Sequence, residues 1–330
     1  MKHSLRETSY HGVPVTVLGA TGFIGRWVAH KLCQQKARVH LIVRDRAAAK
    51  QVFDRYGIQG EVSEADLGDL TAVQRVFERV NASITFNLAG YGVAPSETDQ
   101  ATAYQINVHL VEALAQAISR RRNPDWPGQQ IVHVGSAAEY GAIGGDLSEA
   151  SIPSPTTLYG KSKLAGTLAL EQHSKSLGIR GLTARLFSVY GPGEHPGRLL
   201  PLLLRTAQTK EPLALTSGEQ LRDFTYVEDV AEGLLRLGLA QAKPGQIVDL
   251  ATGQLTSVRT FVEEAARALS ISDHCLRFGS IAMPEREKDW DREQGPVAVH
   301  QLRRLTGWLP TTGIEEGICK TSLFEFGRSG

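Results

Sequence analysis

Apolar residues along this chain fall into two alternating patterns. Short apolar runs with little alternation, rich in β-branched residues, occupy 15–18, 39–43, 84–88, 131–134 and 182–186. Between them lie longer stretches, 24–36, 70–80, 102–122 and 159–177, in which apolar residues recur at helical spacing. A strand that is apolar at every position is buried on both faces, as in a parallel sheet covered by helices. Strand and helix alternate over about the first 190 residues. That repetition predicts an α/β fold, a Rossmann-type doubly wound parallel sheet. Beyond Gly191-Pro192-Gly193 the pattern loosens into short segments broken by Pro and Gly, which predicts a smaller, mixed C-terminal domain. A helix over 228–239 and a strand over 247–250 are placed to rejoin the main sheet. The expected division is thus 1–190, joined by about 224–254, against 191–223 with 255–330.

Composition narrows the partners. The 330 residues carry 36 Lys plus Arg against 35 Asp plus Glu, a net charge of +1. No long basic block is present and aromatics are not interleaved with basic residues, so neither a nucleic acid nor a membrane surface is expected as partner. No segment reaches the roughly 18 consecutive apolar residues of a membrane span. The polar start Met1-Lys2-His3-Ser4-Leu5-Arg6-Glu7 lacks the apolar stretch of a secretory signal, which points to the cytoplasm. Cys33, Cys275 and Cys319 are odd in number and widely spaced, so neither a disulfide framework nor a metal site is expected. Glycine is in excess, 33 of 330, and its placement carries the chemistry.

The first strand runs into Gly19-Ala20-Thr21-Gly22-Phe23-Ile24-Gly25 and then a helix. Gly19 permits a sharp turn, Gly22 lets backbone approach a pyrophosphate, and Gly25 lets the helix pack closely on the strand. The helix N-terminus offers free N–H groups to the anion. At the end of the second strand an acid would grip the ribose 2′-hydroxyl of NAD; Arg44 stands there instead. A guanidinium suits the 2′-phosphate of NADP. The alternative is NAD, with Arg44 solvated and Asp45 on a ribose hydroxyl.

Ser136 stands at the end of the fifth strand, in Gly135-Ser136-Ala137-Ala138-Glu139-Tyr140-Gly141. Tyr159 and Lys163 follow at i and i+4, one face of a helix. A phenol is a poor proton donor or acceptor at neutral pH until a cation stabilises its phenolate, so Lys163 is expected to lower the Tyr159 pKa. Ser136 can hydrogen-bond the same substrate oxygen. Such a trio moves a proton on a carbonyl or carbinol oxygen while hydride moves to or from a nicotinamide.

The glycine turn, the strand-end serine and the YxxxK helix, in that order, resemble the extended short-chain dehydrogenase/reductases that act on nucleotide-diphospho sugars. Arg185-Leu186-Phe187-Ser188-Val189-Tyr190-Gly191-Pro192-Gly193, Arg222-Asp223-Phe224-Thr225-Tyr226-Val227-Glu228-Asp229-Val230 and Leu305-Thr306-Gly307-Trp308-Leu309-Pro310 extend the likeness over nearly the whole chain. The resemblance implies that Gly19, Thr21, Gly22, Phe23, Ile24 and Gly25 hold the dinucleotide. Asp66 and Leu67 would contact adenine, and Leu88, Ala89 and Gly90 would line the cofactor. Arg222 and Arg286 would meet the substrate diphosphate. Arg198 and Leu199 would lie at the nucleoside, and Ser188 would stand where the family carries an asparagine at a phosphate contact. Lys163 would orient the ribose. A homodimer through the 102–122 and 159–177 helices is implied as well.

Ala137 and Ala138 occupy positions where sugar 4,6-dehydratases carry proton-transferring acids, and alanine cannot do that work. Water elimination is therefore disfavoured. The remaining resemblance is to NADP-dependent 4-ketoreductases of nucleotide-linked 4-keto-6-deoxy sugars. The runner-up is an NAD-dependent 4-epimerase of the UDP-hexose type. A third reading, a non-catalytic NADP-binding sensor, fits poorly with a complete Tyr159–Lys163 pair. Glu139, by strand alternation, points away from the substrate and is assigned no chemistry.

Overall fold

A computed structural model describes residues 9–93, 96–141, 143, 145–282 and 294–327. Seven strands form its centre: β1 (Pro14–Leu18), β2 (Arg38–Val43), β3 (Glu61–Glu64), β4 (Ile84–Asn87), β5 (Ile131–Ser136), β6 (Gly181–Leu186) and β7 (Gln246–Leu250). They are all parallel and lie in the order β7-β6-β5-β4-β1-β2-β3. The strand order reverses between β1 and β4. In open α/β sheets the crevice beyond the strand ends at such a point takes the ligand.

Successive strand residues feed opposite cores, which is why the runs show little alternation. Val15, Val17, Leu41 and Val43 point into one core with α1 (Phe23–Gln34) and α2 (Arg46–Tyr56). Leu18, Ile42 and Ile131 point into the other, with α3 (Leu70–Phe77), α5 (Leu110–Arg120) and α6 (Leu158–Leu177). Each such aliphatic side chain contributes about 1.5–3 kcal/mol on burial. The expected 102–122 helix is interrupted: α4 (Gln100–Tyr104) passes into a π-turn, Gln105–His109, before α5 begins.

The rest of the chain stacks α7 (Leu199–Thr209), α8 (Val227–Leu239), α9 (Val258–Ala268), α10 (His300–Thr306) and α11 (Ile314–Phe326) beside this frame. Short strands Ser188–Tyr190 and Phe224–Tyr226 pair in parallel next to β6. The first core runs on without a break through Leu203, Phe261 and Ile318. Trp27 Nε1 donates to Pro192 O at 2.9 Å, fixing α1 to the Gly191–Gly193 bend.

Candidate active site

The glycine turn is built by close approach of backbone to backbone. Gly19 adopts φ +77°, and a Cβ there would lie 2.9 Å from the Leu88 carbonyl carbon and oxygen. A Cβ on Gly25 would lie 2.0 Å from Gly19 O. The two glycines thus hold the ends of β1 and β4 against the start of α1. Gly22 is exposed and caps α1 with no side-chain bond, and the first turn carries no acid. By contrast, α2 and α3 start on Asp45 and Asp69, whose carboxylates accept backbone N–H groups. The uncapped N–H groups of α1 and the bare Gly22 surface fit a pyrophosphate. Arg26 ties the back of the turn, donating to Thr21 O at 2.6 Å and Gly22 O at 3.0 Å. Phe23 and Ile24 are half-buried and pack on the core.

Around this cradle the other cofactor candidates take their places. Arg44, at the end of β2, is exposed, and its side chain makes no hydrogen bond or ion pair among the described residues. Its neighbours are committed: Asp45 Oδ1 accepts Ala48 N–H at 3.0 Å, and Arg46 donates to Val62 O at 2.6 Å. Asp66 is exposed and accepts Gly68 N–H at 2.9 Å, with Leu67 half-buried beside it. Leu88 N–H donates to Leu18 O, so Leu88, Ala89 and Gly90 continue β4 along the turn. This arrangement of residues fits a nicotinamide dinucleotide.

Ser136, Tyr159 and Lys163 come together where β5 meets α6. Thr157 caps α6 by accepting Gly160 N–H at 3.1 Å, which sets the phase of the helix. The Tyr159 phenol faces the Ser136 hydroxyl. Burial pushes it up to about 12, the Ser136 hydroxyl and the Arg198 charge opposing, Glu139 and Glu97 adding to the rise. This is the reverse of the expected direction. The reason is geometric: the buried Lys163 ammonium donates to Val134 O at 2.6 Å, and burial outweighs the cations near the phenol. Lys163 is itself pushed down to about 8 by burial, with the Glu139 charge opposing.

Four residues beyond the expected trio shape the site. Asn107, in the π-turn, accepts Tyr91 N–H at 3.0 Å and donates to Tyr91 O and Ser162 Oγ, each at 2.9 Å. It clamps the loop after β4 to α6. The sequence signal was an asparagine between Ile106 and Val108 on an otherwise apolar helical face. Glu97 accepts Gly92 N–H at 2.9 Å and stands near the phenol. Glu139 does not follow the alternation of β5. The chain turns at Ala137–Glu139 and folds its carboxylate back under Ser136, where it is wholly buried. Glu194 is nearly buried and pushed up to about 7 by burial, Arg198 opposing with Nε 3.5 Å from its Oε1.

Among the residues expected at the substrate, Arg198 caps α7 and its charge reaches Tyr159, while Leu199 begins the helix half-buried. Ser188 N–H donates to Asp223 O at 3.0 Å. Arg222 is buried, with Nη1 on Leu221 O at 2.7 Å. Its neighbour Asp223 accepts the N–H groups of Thr252 and Gly253, pinning the loop after β7. Arg286 lies outside the described residues. Among the described residues no cluster of His, Cys, Asp or Glu could hold a metal, and no helix is long and apolar enough to cross a membrane.

The profile of the NAD-dependent epimerase/dehydratase family matches residues 15–251, from β1 through β7. The chain belongs to this family. A dTDP-6-deoxy-L-talose 4-dehydrogenase (NAD(P)(+)) of Kitasatospora kifunensis is 29% identical over 94% of this chain and 96% of its own length. The solved UDP-glucose 4-epimerase of Thermotoga maritima, with UDP-glucose, shares the fold at TM-score 0.81 and 21% identity, over 94% of this chain and 98% of that one. MoeE5, solved with UDP-glucose and NAD, superposes at TM-score 0.77 and 26% identity over 94% and 98%. As a member of the epimerase/dehydratase family, the protein is an NAD(P)-dependent oxidoreductase or epimerase.

Proposed function

We propose that the protein reduces the C4 keto group of a nucleotide-diphospho-4-keto-6-deoxy sugar with NADPH. The observation that carries this reading is the meeting of Ser136, Tyr159 and Lys163 beside a turn that places alanine, at 137 and 138, where water elimination needs acids. The likeness to a dTDP-6-deoxy-L-talose 4-dehydrogenase supports it, since that name describes the same bond change run backwards. The exposed Arg44, unpaired among the described residues, supports NADP over NAD.

Bound nicotinamide supplies the hydride. The rest is done by side chains. Negative charge develops on the C4 oxygen, and the Ser136 hydroxyl donates a hydrogen bond to it. Tyr159 transfers its proton to the same oxygen. With a pKa of about 12 the phenol is protonated at neutral pH and ready to donate. The phenolate left behind is stabilised by the Arg198 charge, while Lys163, one helical turn away and still mostly ammonium at pH 7, is held on Val134 O. Arg222, Ser188, Arg198 and Leu199 take the nucleoside diphosphate, and the resemblance assigns Arg286, outside the described residues, to the same diphosphate. The second reading is a 4-epimerase of the UDP-hexose type, using the same trio on tightly held NAD. It is favoured by a 25% identical relative from Bacillus subtilis, described as an uncharacterized UDP-glucose epimerase. The resemblance further implies a homodimer through the 102–122 and 159–177 helices, the second of which exposes Leu168.

Tyr159→Phe and Ser136→Ala test the assignment. Each should lower turnover of the keto sugar by about 10²–10⁴-fold with NADPH affinity retained. Turnover at the wild-type rate in Tyr159→Phe would overturn the role given to the trio.

A further inference from the structure

A buried polar chain runs from the active-site serine towards the edge of the sheet, and the mechanism above does not use it. Glu139 Oε1 accepts the backbone N–H of Ser136 at 2.8 Å. Its Oε2 accepts Nε of Arg185, on β6, also at 2.8 Å. Ser136 Oγ accepts Ala138 N–H at 3.2 Å, so serine and glutamate close a reciprocal capping box at the strand end. Arg185 in turn lies over the Tyr140 ring at 4.6 Å, and Tyr140 donates to Asp249 Oδ2, on β7, at 2.7 Å. Glu139 and Arg185 are both essentially without solvent contact. A buried ion pair adds little net stability over apolar side chains of the same volume. What it supplies here is a fixed geometry and a fixed charge.

We propose that Glu139 is a positioning residue of this site: clamped by Arg185, its carboxylate fixes the backbone of Ser136 and holds a negative charge behind the Tyr159–Lys163 pair. The inference rests on the catalytic reading of those three residues. The surrounding charges do not duplicate this role. Tyr159 also faces Arg198 from α7 and Glu97 from the loop after β4. Lys163 faces His133 on β5, which burial and Lys163 keep neutral. Asp249, behind Glu139, is pushed up to about 7 by burial, and the Glu139 and Glu149 charges add to the rise. Glu139 is the group that acts on both Tyr159 and Lys163, raising the pKa of each.

Glu139→Gln keeps an oxygen for the Ser136 N–H and removes the charge. The basic limb of the kcat/KM–pH profile for reduction should then move down by about one pH unit, as Lys163, at about 8 and supported by the Glu139 charge, loses its proton earlier. Ultraviolet titration of the cofactor-free enzyme, taken as the difference from Tyr159→Phe, should show the Tyr159 phenolate at correspondingly lower pH. Glu139→Asp keeps the charge and withdraws the carboxylate from Ser136; its kcat should fall with the basic limb unmoved. If Glu139→Gln does not fold, the Glu139→Gln/Arg185→Met pair removes both partners together and should show the same shift. A folded Glu139→Gln or double variant with phenolate titration and pH limb both at wild-type positions overturns the proposal. Full turnover by Tyr159→Phe would instead overturn the catalytic reading, and the phenolate titration would still judge Glu139.

Discussion

Replacing Gly25 by alanine should cost this enzyme both stability and cofactor affinity, whereas Gly22→Ala should cost affinity alone. At position 25 the new methyl would lie 2.0 Å from Gly19 O, 2.7 Å from Gly19 C and 3.1 Å from Ala20 Cα. Ordinary van der Waals contact begins near 3.4 Å, and every opposing atom is backbone, so no side chain can swing aside. The start of α1 has to retreat from β1 by more than an ångström. Overpacking of this kind costs about 1–3 kcal/mol. A shift of about 1 Å in a positioning element can also cost roughly 10²-fold in rate. At position 22 only Gly19 O stands within 4 Å of the new methyl, at 3.1 Å, and φ is an ordinary −71°. The methyl needs Gly19 O to give by only a few tenths of an ångström, and it occupies the surface offered to the pyrophosphate. Thermal melts with and without NADPH, together with fluorescence titration of the cofactor, separate the two effects. Gly25→Ala should melt several degrees lower and bind weakly. Gly22→Ala should melt with the wild type and bind weakly. Wild-type NADPH affinity in both variants would refute the placement of the dinucleotide on this turn.

Arg44→Ala should weaken NADPH by about 10- to 150-fold, the range of a hydrogen bond to a charged group, and leave NADH unchanged; KM for the two cofactors measures it. An equal effect on both would place the 2′-phosphate elsewhere. Glu194 gives a pH prediction. Its folded pKa of about 7 exceeds the usual 4.5, so the folded chain holds a proton that the unfolded chain has lost. Stability therefore falls as pH rises through that window, by roughly 3 kcal/mol at most, and is level outside it. Glu194→Gln should melt above the wild type at about pH 8 and lose that advantage at about pH 4; parallel Tm–pH curves would contradict the assignment.

The sheet was legible because its strands are apolar on both faces: Leu41 and Ile42 enter different cores, and both positions must be apolar. β3 has no such signature. Its Glu61-Val62-Ser63-Glu64 is an edge strand, paired on one side by β2. α2 was hidden because Ala47-Ala48-Ala49 make a weak apolar stripe, although its Asp45 cap and Gly57, at φ +61°, mark both ends. The trio could be read because YxxxK on a helix fixes which side chains share a face. Burial at that face could not be read, and burial decides the direction of the Tyr159 shift. Alternation holds to Ser136 and gives way to the turn that follows, so it does not show that Glu139 folds back onto Ser136 N and Arg185. A π-turn shifts the helical phase, so i,i+4 spacing alone does not place Asn107.

The reaction proposed for this site is a hydride transfer to C4 of a nucleotide-linked 4-keto-6-deoxy sugar. The most direct measurement is NADPH oxidation by the purified enzyme against GDP-, CDP-, dTDP- and UDP-4-keto-6-deoxy sugars, with the product's C4 hydroxyl identified. Stoichiometric NADPH consumption with at least one of them, and none with Tyr159→Phe, is the predicted result. No consumption with any, alongside tightly held NAD and 4-epimerisation of a UDP-hexose, would contradict it.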